Sequence, residues 1–368
     1  MNTLMDAYHT LLKDFFENGT FKYNKRTDSG TLYRFSQHAE VDLQEQFPLL
    51  TTKKIYHESA SVENGWYYSG QHHIRDLQKA TNIWNLWQDD KGNLPSAYGR
   101  FWRRSPLPNI EHQLEGEDWL DPNNPRHAQW LNEEQQGIYT FDQLSHKMDL
   151  LAEDPSSRRA VISAWNPANA AESALPPCHD MYIFSVEDDE IHLHLTQRSG
   201  DIAIGIPFNW FSYGITNLQA AKQLGLKPGK FSHTIVDAHI YCGIEERNKW
   251  WNNNLDEFQK RFSNIKIRED YQEVLNWINR EAPGNEGESD HVPGLITQMM
   301  REPKNPPKVE VLTNTFDDYA KRTIGELIHL QAPKNAEEQK KLKIRLANSV
   351  VSVENYNPHP PIKFGVAV

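Results

Sequence analysis

The sequence predicts an α+β fold from three observations: apolar residues at helical spacing where the chain opens, alternating or β-rich runs further on, and capped helical segments set among those runs. Taken in order, residues 3–17 place Leu4, Tyr8, Leu11, Leu12 and Phe15 on one helical face, and Gly19 stands where a helix would end. Residues 31–50 alternate imperfectly between turn residues, which predicts strands. Thr140 followed by Gln143 has the spacing of a capping box ahead of Leu144, Met148 and Leu151, and Pro155 stops that helix. AVISAW at 160–165 reads as a short strand, 181–197 as a hairpin around an acidic turn, and 215–225 as a helix closed by Gly225. Two stretches, 105–137 and 245–310, differ in composition and have the look of insertions, the second with helix-like pieces such as DYQEVLNWINR.

Length and charge narrow the class. A chain of 368 residues holds one large domain or two ordinary ones, and the aromatic share of 11% supplies material for a core. The balance of 39 Lys plus Arg against 50 Asp plus Glu gives a net charge of -11, which repels a long phosphate backbone on average, so no nucleic acid polymer is expected as partner. With no long apolar run and no signal-peptide pattern at the start, the expectation is a soluble, cytoplasmic protein with no membrane association. Two cysteines, Cys178 and Cys242, rule out a disulfide framework or a cysteine-rich zinc site, and no metal is expected.

The candidate chemistry gathers in four short segments. LPPCH stiffens the approach to Cys178, which suits a nucleophile; a small buried hydrophobe is the plain alternative. QRSGD at 197–201 and PFN at 207–209 offer phosphate donors and an amide able to pair with a uracil-like edge, the amide carried on a Pro-stiffened loop; a solvated turn is the alternative. His239 and Tyr241 in DAHIY alternate on a strand and face one side. His192 and His194 could share a face as metal ligands but lack a third, and read as surface residues.

Together these segments resemble the thymidylate synthases and the related pyrimidine hydroxymethylases. The matching pieces are FPLLTTKK at 47–54, Glu63 with Trp66, IWNLW at 83–87, AYGRFW at 97–102, DPSSRRAVISAWNP at 154–167, LPPCH at 175–179, QRSGDIAIGIPFN at 197–209, LGLKPGKFSHTIVDAHIY at 224–241 and YNPHPPIKFGVAV at 356–368. They follow family order and cover about two thirds of the chain; 105–137 and 245–310 lie outside the pattern. The resemblance implies a single catalytic domain, with a large mixed sheet forming a homodimer interface and helices packed on its other face. It implies dUMP and 5,10-methylenetetrahydrofolate as substrate and co-substrate.

It also implies roles. Cys178 would add to C6 of the pyrimidine beside Arg198. The phosphate would lie among Arg26, Arg198, Ser199 and, from the partner subunit, Arg158 and Arg159. His239 and Tyr241 would hold the sugar, and Gln197, Gly200 and Asp201 would complete the nucleotide site. Asn209 would read uracil, where cytidylate-specific relatives are expected to carry Asp. The folate would meet Lys53, Ile83, Trp84, Trp87, Asp201, Gly205, Phe208 and the C-terminal Val368. Glu63 would organise proton transfers, and Tyr98 lies where the C5 proton leaves.

Three departures from ordinary thymidylate synthases point toward a hydroxymethylase. Glu63 to Ser69 reads ENGWYYS where an apolar Glu-Leu-Leu-Trp-Phe-Leu is usual. Gly243-Ile244 replaces the usual Asn-His pair after Tyr241, with Trp250-Trp251 following, and Tyr56 replaces a usual His. On this basis the sequence reading prefers 5-hydroxymethyl-dUMP as product, as in phage DNA modification, which would place the protein in a host cytoplasm. Thymidylate synthase is the alternative, and an inactive nucleotide- or RNA-binding regulator the remote one.

Overall fold

The computed structural model describes residues 4–107, 120–173, 175–284 and 288–366. In chain order, α1 (Leu4–Asn18) leads into β1 (Thr20–Asn24) and β2 (Ser29–Asp42), then α2 (His57–Ser69) and α3 (Tyr98–Arg103). β3 (Ser105–Pro106), α4 (Pro125–Ala128), β4 (Leu131–Gln135) and β5 (Ile138–Phe141) follow, then α5 (Gln143–Glu153), β6 (Val161–Ser163) and α6 (Pro167–Glu172). The centre of the chain is β7 (His179–Glu187), β8 (Glu190–Asp201), α7 (Gly205–Leu224) and β9 (Lys227–Ile244). The remainder is α8 (Glu245–Ser263), α9 (Arg268–Glu281), α10 (Val292–Met299), β10 (Lys308–Val311), α11 (Phe316–Ala320), α12 (Glu326–Ile328), α13 (Ala336–Val350) and β11 (Val351–Glu354).

One six-stranded mixed sheet, ordered β1-β2-β9-β8-β7-β6, organises the molecule. Only β8 and β9 run parallel, because the long helix α7 carries the chain back between them; the other pairs are antiparallel. Alternation along β8 buries Ile191, Leu193 and Leu195 beneath α7 and leaves His192, His194 and Thr196 half-buried on the opposite face. α7 is buried along most of its length, with Trp210, Phe211, Tyr213 and Ile215 in the core.

Two local expectations are corrected. The cap of α5 is Asp142, whose side chain accepts from the Ser145 amide, while Thr140 belongs to β5 and pairs with Asn132. The PFN segment is not a loop: α7 begins at Gly205, so Pro207 sits in its first turn, where a missing N–H costs nothing, and Asn209 projects from a helix rather than a flexible connection. Gly225, with φ of 70°, closes that helix as expected.

The two compositionally distinct stretches fold locally. Residues 105–107 and 120–137 contribute to a small three-stranded sheet, β3-β5-β4. After Cys242 the chain departs through α8 and α9 and comes back beside its point of departure. Cys242 bridges to Asp290, and the His291 amide donates to the Tyr241 carbonyl at 2.8 Å. Trp250 and Trp251 belong to the interior of this excursion: Trp250 packs on Trp277, and the Trp251 indole donates to Asp290 at 2.8 Å.

Candidate active site

Cys178 stands at the N-terminal end of β7, presented by Pro176 and Pro177. Arg198, on the neighbouring β8, holds this turn in place. Its Nε donates to the Pro177 carbonyl at 2.7 Å and its Nη2 to the Pro176 carbonyl at 2.9 Å, which leaves Nη2 3.5 Å from the Cys178 Sγ. Burial pushes the thiol pKa up, and the guanidinium opposes that rise. The Tyr98 hydroxyl accepts from the Cys178 amide at 3.2 Å, and its ring stacks on His179 with centroids 4.4 Å apart. The Tyr213 hydroxyl meets the other side of His179 at 3.1 Å, and burial lowers that imidazole to about 3, so it stays neutral.

Across this cleft lies Glu63 on α2. Burial raises its carboxyl from 4.5 to about 7, although it accepts hydrogen bonds from the Tyr67 hydroxyl at 2.9 Å and the Trp84 indole at 2.6 Å. Trp84 packs against Trp66, Trp87 and Tyr98 with centroids between 5.5 and 5.8 Å, forming an aromatic wall. Asn209 points its amide N–H at the Gln197 Oε1, 3.1 Å away.

A second group sits at the C-terminal ends of β8 and β9, three residues beyond Arg198. Asp201 is opposed by burial but held below the usual carboxylate range by His291 and His239, and its Oδ1 accepts from the Ala203 amide at 2.9 Å. His239 lies 3.3 Å from Asp237 and packs edge-on against Tyr241. Gly200 is buried where a Cβ would strike Ile206 and Ile235, whereas a Cβ at Gly205 would make only ordinary contact with Asp201 and Asn209, at 3.9 and 4.0 Å. Phe208 and Ile83 are half-buried. Lys53 is buried rather than reaching outward: its ammonium donates to the Ala203 carbonyl and lies over the Phe364 ring, and burial lowers its pKa to about 7.

Not every expected residue joins these groups within one chain. Arg26, on the turn between β1 and β2, is exposed, although its charge is felt at Cys178 and Tyr241. Arg158 and Arg159 are exposed on the loop between α5 and β6 and make no ion pair among the described residues. Ser199 is half-buried on β8, its carbonyl accepting from Gln197 at 2.7 Å. Val368 lies outside the described residues.

The thymidylate synthase family model matches residues 6–368 of this chain. The chain is also 48% identical over 314 residues to the thymidylate synthase of Haloferax volcanii, which spans 84% of this chain and 89% of that one. This chain belongs to the thymidylate synthase family. The mixed sheet with helices on its buried face is the family architecture expected from the sequence.

Within that family frame, the unusual polar residues after Glu63 turn out to have partners away from the cleft. Asn64 donates to the Ser212 carbonyl of α7 at 3.0 Å, the Tyr68 hydroxyl pairs with Thr216 at 2.8 Å, and Ser69 bonds back to Trp66. Gly65 faces Thr323, whose side chain would overlap any added Cβ. Only Tyr67 of this stretch directs its polarity at Glu63. His291, unremarked in the sequence reading, is buried between Asp201 and the C-terminal tail.

Proposed function

We propose that this protein methylates dUMP at C5, using methylenetetrahydrofolate and yielding dTMP and dihydrofolate. The observation that carries the reading is the thiol of Cys178 held beside the Arg198 guanidinium, with the protonatable Glu63 and the Tyr98 hydroxyl at the same cleft. The Cys178 thiolate, favoured by Arg198, adds to C6 of the pyrimidine and makes C5 nucleophilic. Asn209, fixed by Gln197, pairs with the uracil edge, whose donor and acceptor an amide matches. Glu63, poised near neutrality, exchanges protons through water at the base, and Tyr98 lies where the C5 proton departs. At the end of the cycle the C6–S bond breaks and the thiolate returns.

The folate co-substrate supplies the one-carbon unit and the hydride that completes it. The residues present suit such a ligand: a carboxylate at Asp201 for an aminopterin edge, the Trp84 and Trp87 wall, and the half-buried Phe208 in the first turn of α7. Ile83 adds apolar surface to that wall. Arg26, Arg198 and Ser199 are the phosphate donors from one subunit; in a homodimer, Arg158 and Arg159, whose exposure leaves them free to reach across, serve the partner's nucleotide. His239 and Tyr241 hold the sugar. The whole chain is then one catalytic domain, with 105–137 and the α8–α9 excursion as elaborations of it.

Release of 5-hydroxymethyl-dUMP is the second reading, favoured by one observation, the Tyr67 hydroxyl on Glu63, which could help order a water acceptor. The polar neighbours Asn64, Tyr68 and Ser69 lend it no support, since their partners lie in α2 and α7. The test is absorbance during turnover of dUMP with methylenetetrahydrofolate. Dihydrofolate accumulating in step with nucleotide supports methylation, tetrahydrofolate alone supports the second reading, and Cys178→Ser abolishes either.

A further inference from the structure

We propose that His291 is a positioning residue that ties the C-terminal tail to Asp201 before any ligand arrives; its consequence for folate binding rests on the function proposed above. The His291 side chain is fully buried. Its Nε2 lies 2.8 Å from the Gly365 carbonyl, which can only accept, so that nitrogen carries a proton. Its Nδ1 lies 3.5 Å from Asp201 Oδ1. One ring thus touches both the tail and the acidic group expected to meet the folate.

The surroundings hold the ring and the tail in that relation. His291 follows Asp290, which accepts from Arg247 at 2.7 Å, from the Trp251 indole at 2.8 Å and from the Val292 amide at 3.0 Å, so the α8–α9 excursion anchors the residue beside it. The Gly365 amide donates to the Glu288 carbonyl at 2.9 Å, giving the tail a second bond to the returning chain. Phe364 packs on the imidazole with centroids 5.0 Å apart and also under the Lys53 ammonium. Gly294 on α10 lies so close that a Cβ there would come within 2.6 Å of Phe364 and 3.0 Å of Ile362. Charged or titratable groups facing His291 are Asp201 from β8, Tyr241 from β9 and Lys53 across Phe364. A tail bonded in this way in the free protein has part of its ordering entropy met before a ligand binds, which lowers the cost of closing the site.

Amide hydrogen exchange on the full ligand-free protein tests this without reference to catalysis. The tail peptide containing Phe364 and Gly365 is expected to be protected in the wild type. His291→Ala should speed its exchange about ten-fold, the worth of one hydrogen bond, while β9 and α7 amides stay protected. His291→Gln, which can still donate to Gly365, should restore much of that protection. Gly294→Ala, which displaces Phe364 without touching His291, should release the tail as His291→Ala does. In turnover, His291→Ala should raise the KM for methylenetetrahydrofolate about ten-fold with a smaller change in kcat, and leave the KM for dUMP unchanged. A wild-type tail exchanging at the unprotected rate, or one indifferent to His291→Ala, overturns the proposal; loss of all turnover in the wild type with tail protection intact would instead refute the function and leave the tether standing.

Discussion

The indole N–H of Trp84 donates to the Oε1 of Glu63 at 2.6 Å, which joins the aromatic wall to a buried carboxyl. The same oxygen accepts from Tyr67, yet burial outweighs both donors and lifts the carboxyl to about 7. A group that titrates there can give or take a proton at working pH.

The pH dependence follows from the sign of that shift. Because the folded pKa is raised from 4.5 to about 7, the stability Glu63 contributes is complete below 4.5 and is lost as pH rises through about 7. Glu63→Gln removes this loss, so thermal melts of variant and wild type should diverge in the variant's favour as pH increases across that window. Difference infrared spectra should show a protonated carboxyl vanishing near pH 7 in the wild type and absent from the variant.

Arg198 both fixes the Cys178 turn through two proline carbonyls and lowers the thiol against the pull of burial. Arg198→Lys keeps the charge but loses the fork that reaches both carbonyls. Alkylation of Cys178 by iodoacetamide should slow roughly ten-fold in that variant at neutral pH, and the pH profile of the reaction should move up. Cys242, buried and raised well above its ordinary range, should not react in either protein.

Asn209 projects from the first turns of α7 with its amide oriented by Gln197. Asn209→Asp replaces the donor with an acceptor. kcat/KM for dUMP should fall about 10- to 100-fold, consistent with an unpaired group at the base edge, while binding of dCMP improves. Steady-state assays with both nucleotides check the direction.

Gly65 is required by packing. Gly65→Ala forces a Cβ into the Thr323 side chain, and overpacking of this kind costs about 1–3 kcal/mol. The melting temperature should drop, and Thr323→Ala in the same chain should recover part of it. Recovery by that second change would place the unusual glycine in the packing of α2 rather than in the chemistry of the cleft.

Much of this was legible in the sequence for definite reasons. The hairpin of β7 and β8 announced itself because one face is buried and the pattern therefore alternates, and Gly19 and Gly225 mark helix ends because a Cβ at Gly19 would strike the Phe15 carbonyl and Gly225 adopts a left-handed φ of 70°. The start of α7 was missed because Pro207 reads locally as a loop signal, although proline is tolerated in a first helical turn. Of the site, Cys178 and Arg198 could be named because each lies in a short contiguous motif, LPPCH and QRSGD. His291 could not, because α8 and α9 separate it from Tyr241 in sequence while the fold brings its amide to the Tyr241 carbonyl. The Gly243-Ile244 pair is where the chain departs, and Asp290-His291 is where it returns beside Tyr241 and Cys242. The polarity of Asn64, Tyr68 and Ser69 misled for a similar reason: sequence reports residue type but not the face it occupies.

Methyl transfer to dUMP is tested by the mass of the nucleotide formed from dUMP and methylenetetrahydrofolate. A product heavier than dUMP by one CH2, with dihydrofolate in equal amount, is the expected result. A product heavier by CH2O, with tetrahydrofolate left behind, would contradict it and return attention to Tyr67 and Glu63.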